Sequence, residues 1–592
     1  MVRTFTLVLA GIGLYTVAML ALRVRGLLPE SVRVSGPIVT LHTQRGRAFL
    51  DWLSGARRFW RAWGNIGVGM ALVVMGLSAV VVALSALSIA DNPESATIQN
   101  PQNALVIPGV NEFLPLSAAP EIVLGLLLGL IVHEGGHGLL CRVEDIDIES
   151  LGLAFFAFIP VGAFVAPDEE SRSLADRGGQ TRMFAAGVAN NFALTAVAFL
   201  LLFGPIVGSI GLAPGVPVGD SLANSAAAEA GLEKGDLVTA VNGTAVADPA
   251  ELETALDSVE SRTVSVELRD GERRIVARSL VITNAVTGLL EGIDLDDPPV
   301  VQRVNGTAVH TERGFADAVR DRTVVRLQTD GGSVALPIGA FAARAVPGGP
   351  LASDGAPSDT ALVVTRIGEH RVTNATALST VLSGMEPGST VAVEAFVDGQ
   401  RRAYEVTLGE NDGDAFLGVS GLREGYTGLV LDDFGIDQYP AGFFLSVLDG
   451  SSENIPADAG VFGRIFVRIF LVLFLPVFGL ASGAGFSFAG FTGGVGTFFV
   501  VEGPLAFLGG GVLTLANVCF WTGWINFNLA IFNCIPAYPL DGGHILRTTT
   551  ESIVSRLPVS DRRRFTSAIT TTVTLTMIAA LFLMLFGPQL LS

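Results

Sequence analysis

Seven stretches of this chain are apolar over a length that can cross the hydrocarbon core of a bilayer, which is about 30 Å thick. They occupy residues 4–22, 68–90, 122–141, 183–207, 466–481, 511–532 and 566–586. Half of the 592 residues are hydrophobic and only 16% are charged, a balance too apolar for a soluble enzyme of this length. The sequence therefore predicts a polytopic α-helical membrane protein with about six to eight membrane segments, the number being open around 466–503.

From about residue 211 to residue 459 the apolar pattern gives way to an acidic segment rich in glycine and valine. A repeat begins three times within this segment, at Val241, Val304 and Ile367, with a spacing of 63 residues. Each copy continues with a short helical stretch and alternating strand residues that end at an Asp-Gly pair, which favours a hairpin turn. We therefore expect an α+β insert between two groups of membrane segments.

The first copy of the repeat resembles a PDZ domain of the bacterial protease type. Residues 230–236, Ala-Gly-Leu-Glu-Lys-Gly-Asp, precede its Val-Asn-Gly and carry this resemblance. The third copy is a weaker match, and the middle copy resembles a truncated domain. PDZ domains bind extended peptides by adding a strand to a sheet edge, so the resemblance implies peptide binding. The alternative is that the repeats are spacers without a peptide groove.

The distribution of charge predicts the orientation of the chain. Eight arginines lie within residues 23–61 against two acidic residues, which places this loop in the cytoplasm. Counting from this loop, the third apolar segment ends near the cytoplasmic side and the insert is extracytoplasmic. Arginines in 547–564 mark a second cytoplasmic loop. The net charge of −19, with Lys234 as the one lysine, excludes a nucleic-acid partner, since phosphate contacts require a basic surface.

The sequence His133-Glu134-Gly135-Gly136-His137 follows the apolar run 122–132. Residues four positions apart share one face of a helix, so both imidazoles can bind one Zn²⁺. Glu134 can then reach the water that attacks a substrate. A metalloprotease motif at this depth points to chemistry inside the membrane.

A zinc site that keeps a position open for water needs a third protein ligand. Asp541 is the best candidate, because an acidic residue in an apolar segment is costly unless it pairs or binds a metal. Pro536 and Pro539 must break the helix before it, and broken backbone at membrane depth is tolerated where it lines a watery cavity. His544 is the other candidate in this segment, and we expect it to be structural.

These motifs together resemble the site-2 protease family of intramembrane zinc metallopeptidases. The resemblance rests on His-Glu-Gly-Gly-His and on Asn533 followed, after six residues, by Leu-Asp-Gly. Residues 158–165 resemble the family's membrane-embedded hairpin, and 187–191 resembles its Gly-Pro-x-x-Asn helix, with Asn191 in the Asn position. This chain has Val188 where the family usually has proline.

The resemblance implies a role for each matching residue. It implies His133, His137 and Asp541 as ligands of one Zn²⁺ per chain, Glu134 as general base, and Asn533 as a substrate or oxyanion partner. It also implies four substrate-binding residues, which are Asn191, Ile159, Gly162 and Phe164. If the hairpin is extended, its edge could hold an unwound substrate as an added strand.

The resemblance also divides the chain into six parts. They are 1–119 with N-terminal membrane segments and the arginine-rich loop, 120–208 with the first half of the protease core, 209–285 as a PDZ-like domain, 286–345 as a truncated PDZ-like repeat, 346–430 as a second PDZ-like domain, and 460–592 with the second half of the core.

The predicted function is that of a multi-pass cell-membrane endopeptidase with its active site near the cytoplasmic side. Its substrates would be transmembrane proteins, cut in regulated intramembrane proteolysis after an upstream site-1-type protease removes their outer domains. The alternatives are a non-catalytic membrane adaptor that binds peptides through its repeats, and a transporter with broken helices. The intact motif argues against the adaptor, and the His-Glu-Gly-Gly-His spacing argues against the transporter.

Overall fold

The computed structural model describes residues 2–29, 31–96, 99–103, 107–111, 113–156, 159–286, 298–411, 413–456, 458–482 and 485–591, with the backbone alone for 2–9, 95 and 159–161. The chain divides into two compact units. The first consists of Met1–Gly211, Gly442–Gly493 and Val500–Ser592, and the second consists of Leu212–Ala441 and Gly494–Phe499.

The N-terminal part of the first unit combines apolar helices with a small sheet. The helices are α1 (Val2–Val24), α2 (Gln44–Leu53), α3 (Arg57–Asp91), α4 (Ala119–Val143), α5 (Glu169–Leu174) and α6 (Arg177–Leu201). The strands are β1 (Val32–Ser35), β2 (Ile38–His42), β3 (Ile148–Phe156) and β4 (Ile159–Pro167). They form one antiparallel sheet in this order, so β4 is an edge strand. The predicted hairpin is therefore present as β3 and β4, although Phe158 lies outside the described residues.

The second unit is built from short strands and five short helices in its described part. Strand β5 (Ile210–Leu212) begins in the first unit and ends at the first residue of the second. The other strands are β6 (Val216–Ser221), β7 (Leu237–Val241), β8 (Thr244–Ala245), β9 (Thr263–Leu268), β10 (Arg273–Ala277), β11 (Leu280–Ala285), β12 (Val300–Val304), β13 (Thr307–Ala308), β14 (Val324–Thr329), β15 (Gly332–Pro337), β16 (Ala340–Ala345), β17 (Leu362–Ile367), β18 (His370–Arg371), β19 (Thr390–Val397), β20 (Gln400–Thr407), β21 (Gly409–Asn411), β22 (Asp414–Phe416), β23 (Val419–Leu422), β24 (Leu429–Asp432) and β25 (Ile436–Gln438). The helices are α7 (Ala226–Glu229), α8 (Pro249–Asp257), α9 (Glu312–Val319), α10 (Pro350–Ser353) and α11 (Ala375–Ser383).

Three sheets of this unit share one strand order. The first is β10-β9-β7-β6-β25, the second is β15-β14-β12-β11-β24 and the third is β20-β19-β17-β16-β23, each with one further short strand. Each sheet covers its own apolar core. The middle repeat therefore has the same six strands as its neighbours, whereas the sequence suggested a truncated copy.

The three sheets are nested along the chain. After the third sheet begins, the returning chain supplies β23 to the third sheet, β24 to the second and β25 to the first. The structure thus departs from the predicted contiguous boundaries 209–285, 286–345 and 346–430, because the last strand of each sheet is distant in sequence. Arg278 and Asp433, which are both almost fully buried, form an ion pair where the chain passes from the first sheet to the second.

The C-terminal part of the first unit returns to apolar helices. They are α12 (Ala441–Asp449), α13 (Gly460–Phe474), α14 (Phe478–Ser482), α15 (Gly511–Asn533), α16 (Asp541–Val554) and α17 (Arg562–Leu591), with strand β26 (Phe499–Val501) before α15. Among the described residues, six helical stretches are long and apolar enough to cross a membrane, namely Arg57–Asp91, Leu116–Val143, Arg177–Ser209, Gly460–Ser482, Gly511–Asn533 and Arg562–Leu591. This architecture agrees with the predicted polytopic helical protein that carries an insert containing strands.

Helices α4, α6 and α15 pack closely because small residues line their interfaces. A Cβ atom at Gly125 of α4 would lie 3.1 Å from the backbone nitrogen of Thr522 on α15, and one at Gly129 would lie 2.8 Å from Asn526 Oδ1. Asn526 is fully buried and its amide donates to the carbonyl of Thr522. The two glycines therefore let the backbones of α4 and α15 approach to a distance that any side chain would prevent.

A buried ionic cluster joins the ends of three helices in the first unit. Glu144, which follows α4, has a side chain only 2% exposed and accepts paired hydrogen bonds from Arg61 of α3 and Arg182 of α6. Both carboxylate oxygens are thus bonded to both guanidinium groups. Such a charge is tolerated inside a protein because it is fully paired.

Candidate active site

The two histidines of the motif lie one turn apart on α4, where both are buried, and their rings meet edge to face with 4.8 Å between centroids. Asp541 completes a set of three donors. Its Oδ2 lies 3.1 Å from Nε2 of His133 and 3.3 Å from Nε2 of His137. Ligand atoms about 2.0–2.1 Å from one tetrahedral Zn²⁺ lie roughly 3.3 Å apart, so both of these distances fit a shared metal site.

Asp541 reaches this position because the chain turns sharply after α15. Pro536 and Pro539 keep residues 534–540 out of a helix, and α16 begins at Asp541 itself. The turn is too tight for side chains at its end, since a Cβ at Gly542 would lie 2.4 Å from the carbonyl oxygen of Cys534. In the Leu-Asp-Gly motif, the glycine is thus needed for the tight turn and the aspartate supplies the carboxylate.

Gly187 of α6 leaves the space that a metal ion would need. A Cβ there would lie 2.7 Å from Nε2 of His137 and 2.8 Å from Nε2 of His133, closer than real Cβ atoms approach. Asp541 Oδ2 is buried and accepts no hydrogen bond from the described residues. Two imidazole nitrogens and one carboxylate oxygen around a bare glycine suit Zn²⁺, so the residues fit the predicted metal.

The far side of each imidazole is also held. Nδ1 of His137 donates to the carbonyl oxygen of Met183 at 2.8 Å, which leaves Nε2 without a proton and directed toward the other donors. The side-chain amide of Asn191 lies 3.1 Å from Nδ1 of His133, and its Oδ1 is buried without a partner in the described part of the chain. If the amide is turned so that Oδ1 accepts the proton of Nδ1, the buried oxygen gains a hydrogen bond and the imidazole is held in one tautomer. Nε2 of His133 then carries no proton and can bind a metal.

Glu134 is anchored by the edge strand. Its Oε2 accepts a hydrogen bond of 2.9 Å from the backbone nitrogen of Val165 in β4. The ligand atoms of Glu134, His133 and His137 lie within 4.8 Å of one another, so Glu134 could also contribute to a metal site. We favour Asp541 as the third ligand because its Oδ2 lies 3.1 and 3.3 Å from the two Nε2 atoms, whereas one oxygen of Glu134 is already bonded to β4.

The sequence model of peptidase family M50 matches residues 121–580, which is more than half of the chain. The chain belongs to peptidase family M50. This is the site-2 protease family that the sequence motifs resemble, so that prediction is confirmed, and with it the predicted class of enzyme, a metallopeptidase. The apolar helices and the family together support a multi-pass membrane protein.

Two relatives illustrate the similarity. An uncharacterized protein of Methanocaldococcus jannaschii is 42% identical over 53 residues, which is 9% of this chain and 13% of that protein. The probable membrane metalloprotease ARASP2, chloroplastic, of Arabidopsis thaliana is 27% identical over 215 residues, which is 30% of this chain and 46% of that protein. The chain thus spans less than half the length of these curated relatives.

The remaining predicted site residues lie on α15 and on β4. Asn533 is the last residue of α15, and its amide nitrogen donates to the carbonyl of Leu529 within the same helix; no described contact joins it to the three donors. Ile159, Gly162 and Phe164 all belong to β4. They are therefore on the strand that also holds Glu134, although the side chain of Ile159 is not described.

The contacts of three further side chains indicate their roles. Asn191 is fully buried against His133, so we assign it to orienting that imidazole rather than to binding substrate. Asn190 donates to the carbonyl of Val132 and accepts from Trp63, which makes it a helix-packing residue. His544 stacks on Phe184 with 4.4 Å between ring centroids, and its structural role stays a prediction.

Sequence reasoning missed Met183, Val165 and Gly187. Met183 and Val165 act through backbone atoms, which leave no signal in the type of side chain. Gly187 acts through the absence of a side chain, and its place as the first residue of the segment that resembles the Gly-Pro-x-x-Asn helix is the one signal that could have found it.

Proposed function

We propose that this chain is a zinc endopeptidase that hydrolyses peptide bonds within or near transmembrane segments of other membrane proteins. The observation that carries the proposal is the approach of Asp541 Oδ2 to within 3.1 and 3.3 Å of the two Nε2 atoms of His133 and His137 on an apolar helix. A Zn²⁺ held by these three residues would polarise the scissile carbonyl and make a water molecule easier to deprotonate.

Glu134 is the proton carrier in this proposal. Its Oε2 is held by the N–H of Val165, which leaves Oε1 to take a proton from the attacking water and to return it to the leaving amine. Asn533 would donate to the developing oxyanion. One N–H of its amide is bonded to Leu529, and the second remains for the substrate.

The edge of β4 supports the proposed mode of substrate binding. A helical substrate must unwind before its carbonyl can reach the site, because the backbone groups of a helix are bonded to one another. The N–H of Val165 points away from β3, toward Glu134, and backbone direction alternates along a strand. The N–H and C=O of Ala163 therefore face the same free edge, where an extended substrate would bind as an added strand.

We further propose an orientation and a role for the insert. The arginine-rich loops near residues 23–61 and 547–564 support a cytoplasmic location for the ends of α4 and α16, with the insert outside. Three similar sheets support PDZ-like peptide binding that admits substrates already trimmed by a site-1-type protease. Deletion of 212–441 would then relax the choice of substrates, and unchanged selectivity would contradict this role.

The zinc content of variants tests the proposal, because it distinguishes a residue that binds the metal from one that contacts only the substrate. The full chain is purified in detergent, its zinc is measured by elemental analysis, and cleavage of a transmembrane peptide is followed by mass spectrometry. We expect about one zinc per chain in the wild type, less than about a tenth of that in Asp541→Ala, and full zinc in Asn533→Ala with cleavage slowed by about 10²–10³-fold. Full zinc in Asp541→Ala would refute the assignment.

The adaptor alternative makes a different prediction from the same measurements. An adaptor needs neither three donors around a bare glycine nor a base anchored to a strand, so no observation favours it. It predicts that the wild type cleaves nothing and that zinc is absent from every variant.

A further inference from the structure

A cavity of about 630 Å³ lies in the first unit, beside the ends of α5, α6, α16 and α17. It is lined mainly by polar side chains, and its volume falls within the about 300–1,000 Å³ that is typical of small-molecule sites. We call it the arginine cavity, because five arginines line it. They are Arg172, Arg177, Arg547, Arg562 and Arg563.

The charge of the arginine cavity is opposite to that of the chain. Its lining carries five arginines and two acidic residues, Glu169 and Glu551, whereas the whole chain has a net charge of −19. A concave surface with an excess of guanidinium groups attracts anions, and more strongly where walls of protein exclude water. The lining of the cavity therefore favours anions in a protein whose net charge is negative.

Ion pairs account for only part of this positive charge. Glu169 pairs with Arg172, and Glu551 lies 3.1 Å from Arg547 and 3.9 Å from Arg177. Arg562 and Arg563 have no acidic partner among the residues that the structure describes. Their N–H groups are donors in the fork geometry that matches the oxygens of phosphate.

The position of the cavity agrees with a phosphate ligand. Arg562 and Arg563 are the first residues of α17, a candidate membrane span, and Thr570 of the same lining lies about 12 Å further along that helix at 1.5 Å per residue. The cavity thus extends from the end of the span into its first turns. The end of a membrane span lies near the lipid headgroups, so headgroup phosphates and soluble phosphate compounds on that side could both reach the cavity.

We propose that the arginine cavity binds a phosphate-bearing anion, supplied either as a lipid headgroup or as a soluble phosphate compound. The ligand would contact α16, which begins at Asp541, and α6, which carries Met183 and Phe184. It would hold together the two elements that position Asp541 and His137. The proposal concerns binding and is independent of the proposed catalytic activity.

The test measures binding to the full chain, purified in detergent, in two arms. Sodium pyrophosphate is titrated by calorimetry in the soluble arm, and native mass spectrometry counts bound phosphatidylglycerol against phosphatidylcholine in the lipid arm. Arg563→Gln and Arg562→Gln each remove one unpaired charge of the cavity. Arg564→Gln is the matched control, because Arg564 is the next residue and pairs with Asp561 instead of lining the cavity.

We expect saturable binding in one arm, and that arm identifies the source of the phosphate. Arg563→Gln and Arg562→Gln should each weaken it by about tenfold, while Arg564→Gln changes it by less than about twofold. Unfolding temperatures measured without ligand identify any variant that is misfolded, and the other variant then decides. No saturable binding in either arm, or equal weakening in all three variants, would overturn the proposal.

Discussion

At the scale of single residues, the candidate site depends as much on an absent side chain as on the donors. Gly187 lies where a Cβ would meet both imidazoles, so α6 presents bare backbone to the space between His133, His137 and Asp541. The side chains of a metal site can be recognised by their chemistry, but the space that they enclose depends on what surrounds them.

Replacement of Gly187 by alanine should therefore abolish metal binding. The new methyl group would lie 2.7 Å from Nε2 of His137, a distance at which the ring must move away from the other donors. We expect less than about a tenth of the wild-type zinc content by elemental analysis. Gly135→Ala is the matched control, since a Cβ there meets no atom within 4 Å, and it should keep its zinc. Equal zinc in both variants would contradict this account.

The amide of Asn191 gives a second prediction at this scale. If its oxygen accepts the proton of His133 Nδ1, Asn191→Asp keeps an acceptor at that point, whereas Asn191→Ala removes it. We expect zinc affinity to fall by about 10–100-fold in the alanine variant and to stay near wild type in the aspartate variant, as measured by competition with a chelator. Loss of affinity in both would mean that the amide nitrogen is the group required.

The sequence predicts the candidate metal ligands but not the groups that hold them in place. His133, His137, Glu134 and Asp541 are polar residues in apolar segments, where a polar group needs a reason to be present. Met183 offers its backbone carbonyl, which every residue type has. No pattern of side chains could distinguish it from its neighbours.

At the scale of elements, β4 connects catalysis to the substrate. It is an edge strand, it holds Glu134 through the N–H of Val165, and it contains the hairpin residues that the sequence singled out. The hairpin could be predicted from its motif. The pairing of β3 with β2 could not, because β1 and β2 come from a loop about 110 residues earlier in the chain whose arginines indicated only its side of the membrane.

Proline at position 163 should block cleavage without unfolding the sheet. It removes an N–H from the free edge, where proline is tolerated because no ladder bond is lost. We expect Ala163→Pro to keep zinc and to cleave a transmembrane peptide at least about tenfold more slowly. Ala163→Ser, which retains the N–H, serves as the control. Full activity of the proline variant would show that substrates do not pair with this edge.

Asp432, at the end of β24, gives the insert a pH-dependent stability. Burial raises the pKa of this carboxyl, hydrogen bonds from the backbone N–H groups of Phe434 and Gly435 oppose the shift, and neighbouring Asp433 adds to it. The folded state therefore holds this proton more tightly than the unfolded chain does. The resulting stability is present below the ordinary pKa of 3.8 and is lost as the pH rises through the raised pKa.

Asp432→Asn should remove this loss, since an amide oxygen can accept the same two hydrogen bonds without charge. We expect the unfolding temperature of the insert, followed by calorimetry, to fall less between about pH 4 and pH 7 in this variant than in the wild type. Asp359→Asn, which neutralises an exposed carboxylate, controls for net charge. An unchanged pH dependence in Asp432→Asn would refute the assignment.

At the scale of the whole molecule, the repeats predicted the composition of the insert but not its connectivity. The 63-residue spacing identifies three units. Strands β23, β24 and β25 are three or four residues long and lie outside the repeat, so nothing marks the sheet to which each belongs. Nesting also makes Asp433 part of a link between two sheets, through its buried pair with Arg278.

The two halves of the membrane unit, like the strands of each sheet, are distant in sequence but meet in the fold. His133 and Asp541 are separated in sequence by the insert and meet across a pair of nitrogen and oxygen atoms 3.1 Å apart. The family match over 121–580 includes both halves. In sequence, the insert therefore lies between the two parts of the candidate site. The proposed chemistry requires residues from both parts.

Cleavage of a transmembrane segment by the wild type and by Glu134→Gln, compared at equal zinc content, tests the central claim most directly. Glutamine keeps the size of Glu134 and can still accept the N–H of Val165, but it cannot take the proton. We predict cuts within the segment by the wild type and a rate about 10²–10⁴-fold lower for the variant. Equal rates for the two proteins, or no cleavage by zinc-loaded wild type, would contradict the account.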